Sequence, residues 1–280
     1  MTIERALVVG TGLIGTSVAL ALRETDVEVH LSDVDAEAAR LARELGAGRE
    51  WTGGEVDLAV IAVPPHLVGE RLAELQKQEV ARAYTDVASV KAGPIADAER
   101  LGCDQVSYVP GHPLAGRERS GPAAARADLF SGRPWALCPG PGTGADAVRL
   151  VRELVSLCGA KAVTVAADEH DSAVALVSHA PHVVASAVAA SLAAGGDVAL
   201  SLSGQGLRDV TRIAAGNPVL WQRILAGNAV AVAELLDRIS DELAVAASAL
   251  RSGDLAEVTD LLWRGVEGHA RIPANRQAPG

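Results

Sequence analysis

Four short polar segments carry the side chains whose types and spacing could do chemistry. GHPLAG (111–116) holds His112 between Gly111 and Pro113, in a stretch read as irregular and turned, so a stiff backbone fixes where the imidazole points. TDVASVKAG (85–93) offers Ser89 and Lys91 just past an apolar run. SHAPH (178–182) sets His179 and His182 three apart, on one helical face, with Pro181 between them to kink the helix. LRDVTRIAAGNP (207–218) sets Arg208 and Arg212 four apart on another helix, just before a turn. An imidazole can take a proton from a hydroxyl, and a guanidinium fork can hold a carboxylate. Each group also has an ordinary use: a loop histidine satisfied in the core, an arginine pair on a solvated face. With no acid or cysteine at ligand spacing, the histidine pair does not predict zinc, and no metal is expected.

A fifth segment gives these groups a common purpose. GTGLIG (10–15) is a G-x-G-x-x-G directly after the apolar run ALVV and directly before a helical run. Gly10 suits a tight turn, Gly12 lets backbone approach a pyrophosphate, and Gly15 lets helix and strand pack closely. Leu13 and Ile14 complete the loop, whose free N–H groups at the helix start would bind the anion. Asp33 follows Gly15 by 18 residues, at the end of a second strand, where a carboxylate can accept from both ribose hydroxyls. It would repel a 2′-phosphate, so NAD is expected rather than NADP. Asp35 reads as the cap of the next helix. Val63 and Pro64, at the close of a third strand, are expected to flank the cofactor. Such a site needs a base on the hydroxyl of a hydride donor, and cations from a covering domain if that donor is an anion.

The elements that must hold these groups fall into two sets. Strands are predicted at 6–10, 27–33, 56–65, 83–89, 106–111, 133–140 and 160–166, with helices at 16–25 and 35–46 and another between the last two strands. That alternation implies βαβ units, a parallel sheet and right-handed crossovers. From Asp168 to about Gly268 no strand pattern occurs, and Ala, Leu and Val recur at helical spacing, broken at 195–196, 204–206 and 216–218. The expected fold is therefore α/β plus all-α: a Rossmann-type NAD-binding domain, 1–167, then a helical domain, 168–280. The long apolar-periodic stretch 219–250 is hard to bury in so small a unit, so a homodimer core is expected there. The polar tail RIPANRQAPG is expected to be extended or mobile.

Composition bounds the partners. The 280 residues are 49% hydrophobic with a net charge of −10, which argues against nucleic acid or an anionic membrane as a general partner. No uninterrupted apolar run reaches about 20 residues, and no secretory pattern opens the chain, so a cytoplasmic protein is expected. Three cysteines without a CxxC pair fit neither a disulfide framework nor a zinc site.

Taken together, GTGLIG, DVASVK, HPLAG with RERSG, DEHD (168–171), SHAPH and RDVTRIAAGNPVLW resemble the prephenate dehydrogenase family of tyrosine biosynthesis, which includes arogenate and cyclohexadienyl dehydrogenases. The resemblance runs from about residue 5 to 250. It implies an NAD-binding Rossmann domain followed by a helical dimerisation domain. It also implies a cyclohexadienyl substrate that loses hydride to NAD and its ring carboxylate as CO2, and so becomes aromatic. In that resemblance His112 polarises the ring hydroxyl, Ser89 bonds hydroxyl, histidine and nicotinamide, and Arg212 holds a substrate carboxylate. His182 and His179 would touch substrate from the helical domain, and Glu118 would stand near the entrance. The family's HPMAG and SHLPH are HPLAG and SHAPH here. Prephenate, arogenate and 4-amino-4-deoxyprephenate all remain open as substrates. A 3-hydroxyacid dehydrogenase would use a lysine in the helical domain, and none follows Lys161; a non-catalytic dinucleotide sensor would have no need of both His112 and Arg212.

Overall fold

A computed structural model describes residues 2–116 and 119–272. It divides into two compact units, residues 1–229 and 230–280.

The first unit is built on a six-stranded parallel sheet of order β3-β2-β1-β4-β5-β6. Its strands are β1 (Arg5–Val9), β2 (Glu28–Ser32), β3 (Arg49–Glu50), β4 (Val56–Ile61), β5 (Ala81–Asp86) and β6 (Tyr108–Val109). Helices α1 (Leu13–Arg23), α2 (Ala36–Glu44), α3 (Val68–Lys77) and α4 (Ala92–Arg100) make the crossovers. β1 and β4 read as near-continuous apolar runs because both of their faces are covered, and Ala6, Leu7, Val8, Leu58, Ala59, Val60 and Ile61 are all fully buried. Strand order reverses between β1 and β4, so the loops after Val9, Ile61 and Asp86 leave one edge side by side. Ala62 N–H donates to the Val9 carbonyl and Val87 N–H to the Ile61 carbonyl. Such a switch point is where open α/β sheets bind ligands.

The predicted strand 106–111 is split. β6 closes the parallel sheet, and Pro110 carries the chain into β7 (Gly111–Pro113), which belongs to a second, three-stranded sheet with β8 (Pro134–Leu137) and β9 (Lys161–Thr164). β7 pairs antiparallel with β8, His112 standing opposite Ala136. GHP is thus a short strand rather than the irregular turn expected, because the β8 backbone supplies its ladder partners. The helix α5 (Ala145–Leu157) precedes β9. α1 also starts earlier than predicted, at Leu13 instead of residue 16, since the glycine loop folds directly into its first turn.

Among the described residues, seven α-helices follow: α6 (Ala167–Val174), α7 (Ala180–Ser191), α8 (Asp197–Ser201), α9 (Gln205–Thr211), α10 (Pro218–Gly227), α11 (Ala229–Ser252) and α12 (Ala256–Ala270). α6 and α7 are joined through a turn of π-helix, Ala175–His179. The resulting helix, Ala167–Ala194, is long and apolar enough by length and composition to cross a membrane, which the count of uninterrupted apolar residues had not found. Its buried face nonetheless carries His170, Asp171, His179 and His182. The apolar stretch 219–250 is interrupted at Asn228, between α10 and α11.

In the second unit, α11 and α12 are tied by Arg264, whose guanidinium donates to both Glu242 oxygens at 2.8 and 2.7 Å. Leu243, Val245, Leu250, Leu262, Trp263 and Val266 are exposed there.

Candidate active site

The glycine loop is shaped by close backbone approach. Gly10 has a positive φ of 98°, and a Cβ there would lie 2.3 Å from the Ala62 carbonyl oxygen. A Cβ on Gly15 would lie 1.9 Å from the Gly10 carbonyl oxygen. Around Gly12, by contrast, a Cβ would meet nothing within 4 Å, so the loop leaves open space at the point where α1 begins. No side chain caps α1 and no acid lies in its first turn, so its leading N–H groups and dipole are free for an anion. A dinucleotide pyrophosphate fits that cradle. Leu13 and Ile14 are half-buried at the same turn, and Val63 and Pro64 leave the end of β4 beside it. Asp33 is more occupied than expected. One oxygen accepts from the Thr11 N–H at 2.5 Å and the Thr11 hydroxyl at 2.7 Å, and the other from the Asp35 N–H at 2.9 Å. A carboxylate has about four lone-pair sites, so capacity for ribose hydroxyls remains. Asp35 caps α2, accepting from Glu37 and Ala38 N–H.

The second half of the site is a buried polar cluster. His112 is nine-tenths buried, with Nδ1 2.9 Å from His170 Nε2. His170 Nδ1–H donates to Asp171 Oδ1 at 2.8 Å. The Asp171 carboxylate also accepts from the backbone N–H groups of Lys91 (2.8 Å) and Ala92 (2.9 Å), at the start of α4. Lys91 is fully buried, and its ammonium donates to Asp86 Oδ1 and to the Gly111 carbonyl. The other Asp86 oxygen accepts from the Tyr108 hydroxyl at 2.7 Å and from Gly111 N–H at 3.3 Å. A buried ion pair therefore grips Gly111 at both ends of its peptide and holds β7 in place next to the catalytic candidate.

These surroundings set the charges. Burial, then the nearby Lys91 ammonium, and then His170 and His179 push the His112 pKa well below its ordinary value, so the ring is neutral near pH 7. Burial alone would raise the Asp171 pKa, but the His170 hydrogen bond and the Ala92 and Lys91 N–H groups outweigh it and keep the carboxylate ionised. Burial also lowers His179 to about 4, against the pull of Asp171.

His179 and His182 do share a side of the helix, by way of the π turn rather than a kink. Pro181 has no N–H to offer its preceding turn, and the widened turn Ala175–His179 absorbs that loss while bringing His179 to the buried face. Asn228 Nδ2–H bonds both the Asp171 carbonyl (2.7 Å) and His179 Nδ1 (3.2 Å). His182 stacks on Trp221, with centroids 3.6 Å apart and 12° between planes, and its buried Nδ1 has no partner among the described residues. Burial lowers its pKa.

The other expected residues are less engaged. Ser89 is half-buried in the loop after β5, and its hydroxyl has no partner among the described residues. Arg212 opens a short 3-10 turn (Arg212–Ala215) that packs on α7, and it is exposed with no ion pair among the described residues. Arg208 is exposed on α9. Glu118 lies outside the described residues. Sequence reasoning gave no role to His170, Asp171, Asp86, Asn228 or Trp221. The one available signal was DEHD itself, a histidine flanked by acids at the opening of an apolar helix.

Comparison with known proteins bears on the family and the fold. A family model described as prephenate dehydrogenase, nucleotide-binding domain, matches residues 18–164, beginning just after the glycine loop. A second, described as prephenate dehydrogenase, dimerization domain, matches residues 166–263. Among curated relatives, Probable prephenate dehydrogenase NovF of Streptomyces niveus is 41% identical over 98% of this chain and 79% of its own. The cyclohexadienyl dehydrogenase of Zymomonas mobilis is 32% identical, covering 88% of each chain. Among solved structures, Synechocystis arogenate dehydrogenase superposes with a TM-score of 0.79 at 26% identity, over 95% of this chain and 99% of that one. Prephenate dehydrogenase from Aquifex aeolicus superposes with a TM-score of 0.86 at 24% identity, covering 97% and 99%, and so shares the fold. The chain belongs to the prephenate dehydrogenase family.

Proposed function

We propose that this chain is an NAD-dependent dehydrogenase that oxidises and decarboxylates prephenate to 4-hydroxyphenylpyruvate, in the supply of tyrosine. The observation that carries the reading is a neutral, buried His112 fixed beside the ligand-binding edge of a dinucleotide fold. Residues 1–167 hold the cofactor, with Gly10, Gly12, Leu13, Ile14 and Gly15 around the pyrophosphate, Asp33 on a ribose, and Val63 and Pro64 alongside. NAD, when bound, supplies the hydride acceptor. His112 takes the proton of the ring hydroxyl as the carbon that bears it gives up its hydride and the O–H electron pair forms a carbonyl. The electrons of the departing carboxylate's C–C bond then restore aromaticity and return to that oxygen, which regains its proton from His112 as a phenol. Ser89 orients the hydroxyl. Arg212 pairs with a substrate carboxylate, a task for which its guanidinium is unengaged by any described residue. His179 and His182 contact the substrate from α7 and its π turn, and Glu118 stands near the entrance.

Residues 168–280 supply these contacts and a homodimer interface. The dimerization-domain match and the exposed apolar side chains of α11 and α12 support that interface. The cytoplasm suits the three unpaired cysteines. Side-by-side measurement of NADH formation from prephenate, arogenate and 4-amino-4-deoxyprephenate tests the substrate. Prephenate is expected to have the highest kcat/KM, and a higher value for either amino compound overturns the assignment.

A further inference from the structure

The mechanism above uses His112 but leaves unexplained why a second imidazole and a carboxylate are buried behind it. Asp171 is an acceptor on both oxygens, so the His170 Nδ1 that lies 2.8 Å away must carry the proton of that contact. If His170 is a neutral ring, its Nε2 is then an acceptor, and His112 Nδ1, 2.9 Å away, must be the donor. The remaining nitrogen of His112, Nε2, is left with a free lone pair. We infer that His170 and Asp171 form a buried relay that holds His112 in the Nδ1–H tautomer and so makes Nε2 the proton acceptor. The inference rests on the reading of His112 as the base, and it makes His170 and Asp171 positioning residues.

The anchoring of Asp171 supports this role. Its carboxylate is fixed by two backbone N–H groups at the N-terminus of α4, where the helix dipole favours an anion. Asn228 holds the same residue's carbonyl, so neither the carboxylate nor the backbone of Asp171 can readily turn away. As His112 gains a proton at Nε2, the charge it acquires is shared through His170 toward the carboxylate. No proton has to move along the relay; its function is to select a tautomer and support the cation. The groups acting on His112 are Lys91 from the loop after β5 and His170 and His179 from the helices, with Asp86 paired to Lys91 and Asp171 bonded to His170. Of these, Asp171 is the anion aligned with the ring through a hydrogen-bonded partner, whereas Asp86 is already neutralised by Lys91.

The test uses the whole protein with 15N-labelled histidine. In the ligand-free wild type, the 15N shifts of His112 are expected to report protonated Nδ1 and bare Nε2. Asp171→Asn offers His170 an amide donor, which reverses its tautomer and that of His112. In Ser-His-Asp triads the same exchange costs about 10⁴ in kcat. Here kcat is expected to fall by roughly 10²-fold or more, with the KM for prephenate within a few-fold and NAD affinity unchanged. The acid limb of the kcat/KM profile should move to lower pH as the supporting anion is lost. A second pair guards against misfolding of that variant. His170→Gln keeps a carbonyl acceptor for His112 and should retain activity within about tenfold, whereas His170→Phe fills the space without accepting and should not. A wild-type His112 carrying its proton on Nε2, or a Phe variant as active as the Gln variant, overturns the relay. Retained activity in His112→Asn would instead overturn the reading of His112 as base, and the ligand-free 15N spectrum would still decide the relay.

Discussion

Around Gly10–Gly15 the groups that define the loop are backbone groups, and their geometry is imposed by carbonyl oxygens that leave no room for a Cβ on Gly10 or Gly15. Around His112 they are side chains, and each is held by a partner far along the chain: His170 lies 58 positions from His112, and Asp171 lies 80 from Lys91. The first region is a non-titrating loop set by backbone sterics. The second is a cluster of ionisable groups whose charges depend on burial and on one another. Sterics should therefore break the first, and protons or single polar deletions the second.

The largest expected effect is at the centre of the titrating region. His112→Asn should lower kcat by on the order of 10²–10⁴, the range for losing a general base, while leaving NAD affinity as it was. Steady-state turnover alongside NAD titration checks both halves, and an unaltered kcat would assign the proton to another group. Next comes Lys91→Met, which strands Asp86 without its buried partner. Removing one member of a buried pair costs about 3–5 kcal/mol, so denaturant unfolding should show a large loss of stability, with kcat reduced because Gly111 is no longer gripped. In the backbone region, Gly15→Ala drives a Cβ into the Gly10 carbonyl. Relief of such overpacking costs about 1–3 kcal/mol, and it should appear as weaker NAD binding with the pH dependence of kcat unchanged.

The same contrast decides what could be read from the chain alone. The cradle is contiguous: six residues, a strand before and a helix after, then Asp33, so its pattern survives in one dimension. His112, Ser89, His179, His182 and Arg212 were each visible as unusual polar residues, but their mutual arrangement was not. The role of His170 depends on α6 packing over the start of α4, a contact that no spacing encodes. Lys91 stood out only as a cation just past an apolar run; that its ammonium turns inward onto Asp86 depends on packing that the sequence does not spell out. The π turn was signalled only by Pro181, which predicts a disturbance and not its form. GHP was misread as irregular because its ladder partner, β8, lies more than 20 residues downstream.

The smallest and most diffuse effect concerns stability and pH. Histidine in an unfolded chain titrates near 6.5, whereas His179 in the fold titrates at about 4, and His112 is likewise lowered. Between those values the unfolded state binds protons that the folded state refuses. Stability is therefore fully present above about pH 6.5 and is lost progressively as pH falls toward 4. Asp171 works in a lower window: its depressed pKa contributes stability above its ordinary value near 3.8, lost only as pH falls below that. The urea midpoint should thus decline from pH 7 to 4.5, before the carboxylate begins to matter. His179→Gln keeps an oxygen to accept from Asn228 but cannot be protonated, so its decline should be shallower. The Gly15→Ala protein should lose stability by a similar amount at every pH in that range. Equal slopes for His179→Gln and wild type would mean that the burial of His179 is not what couples this cluster to protons.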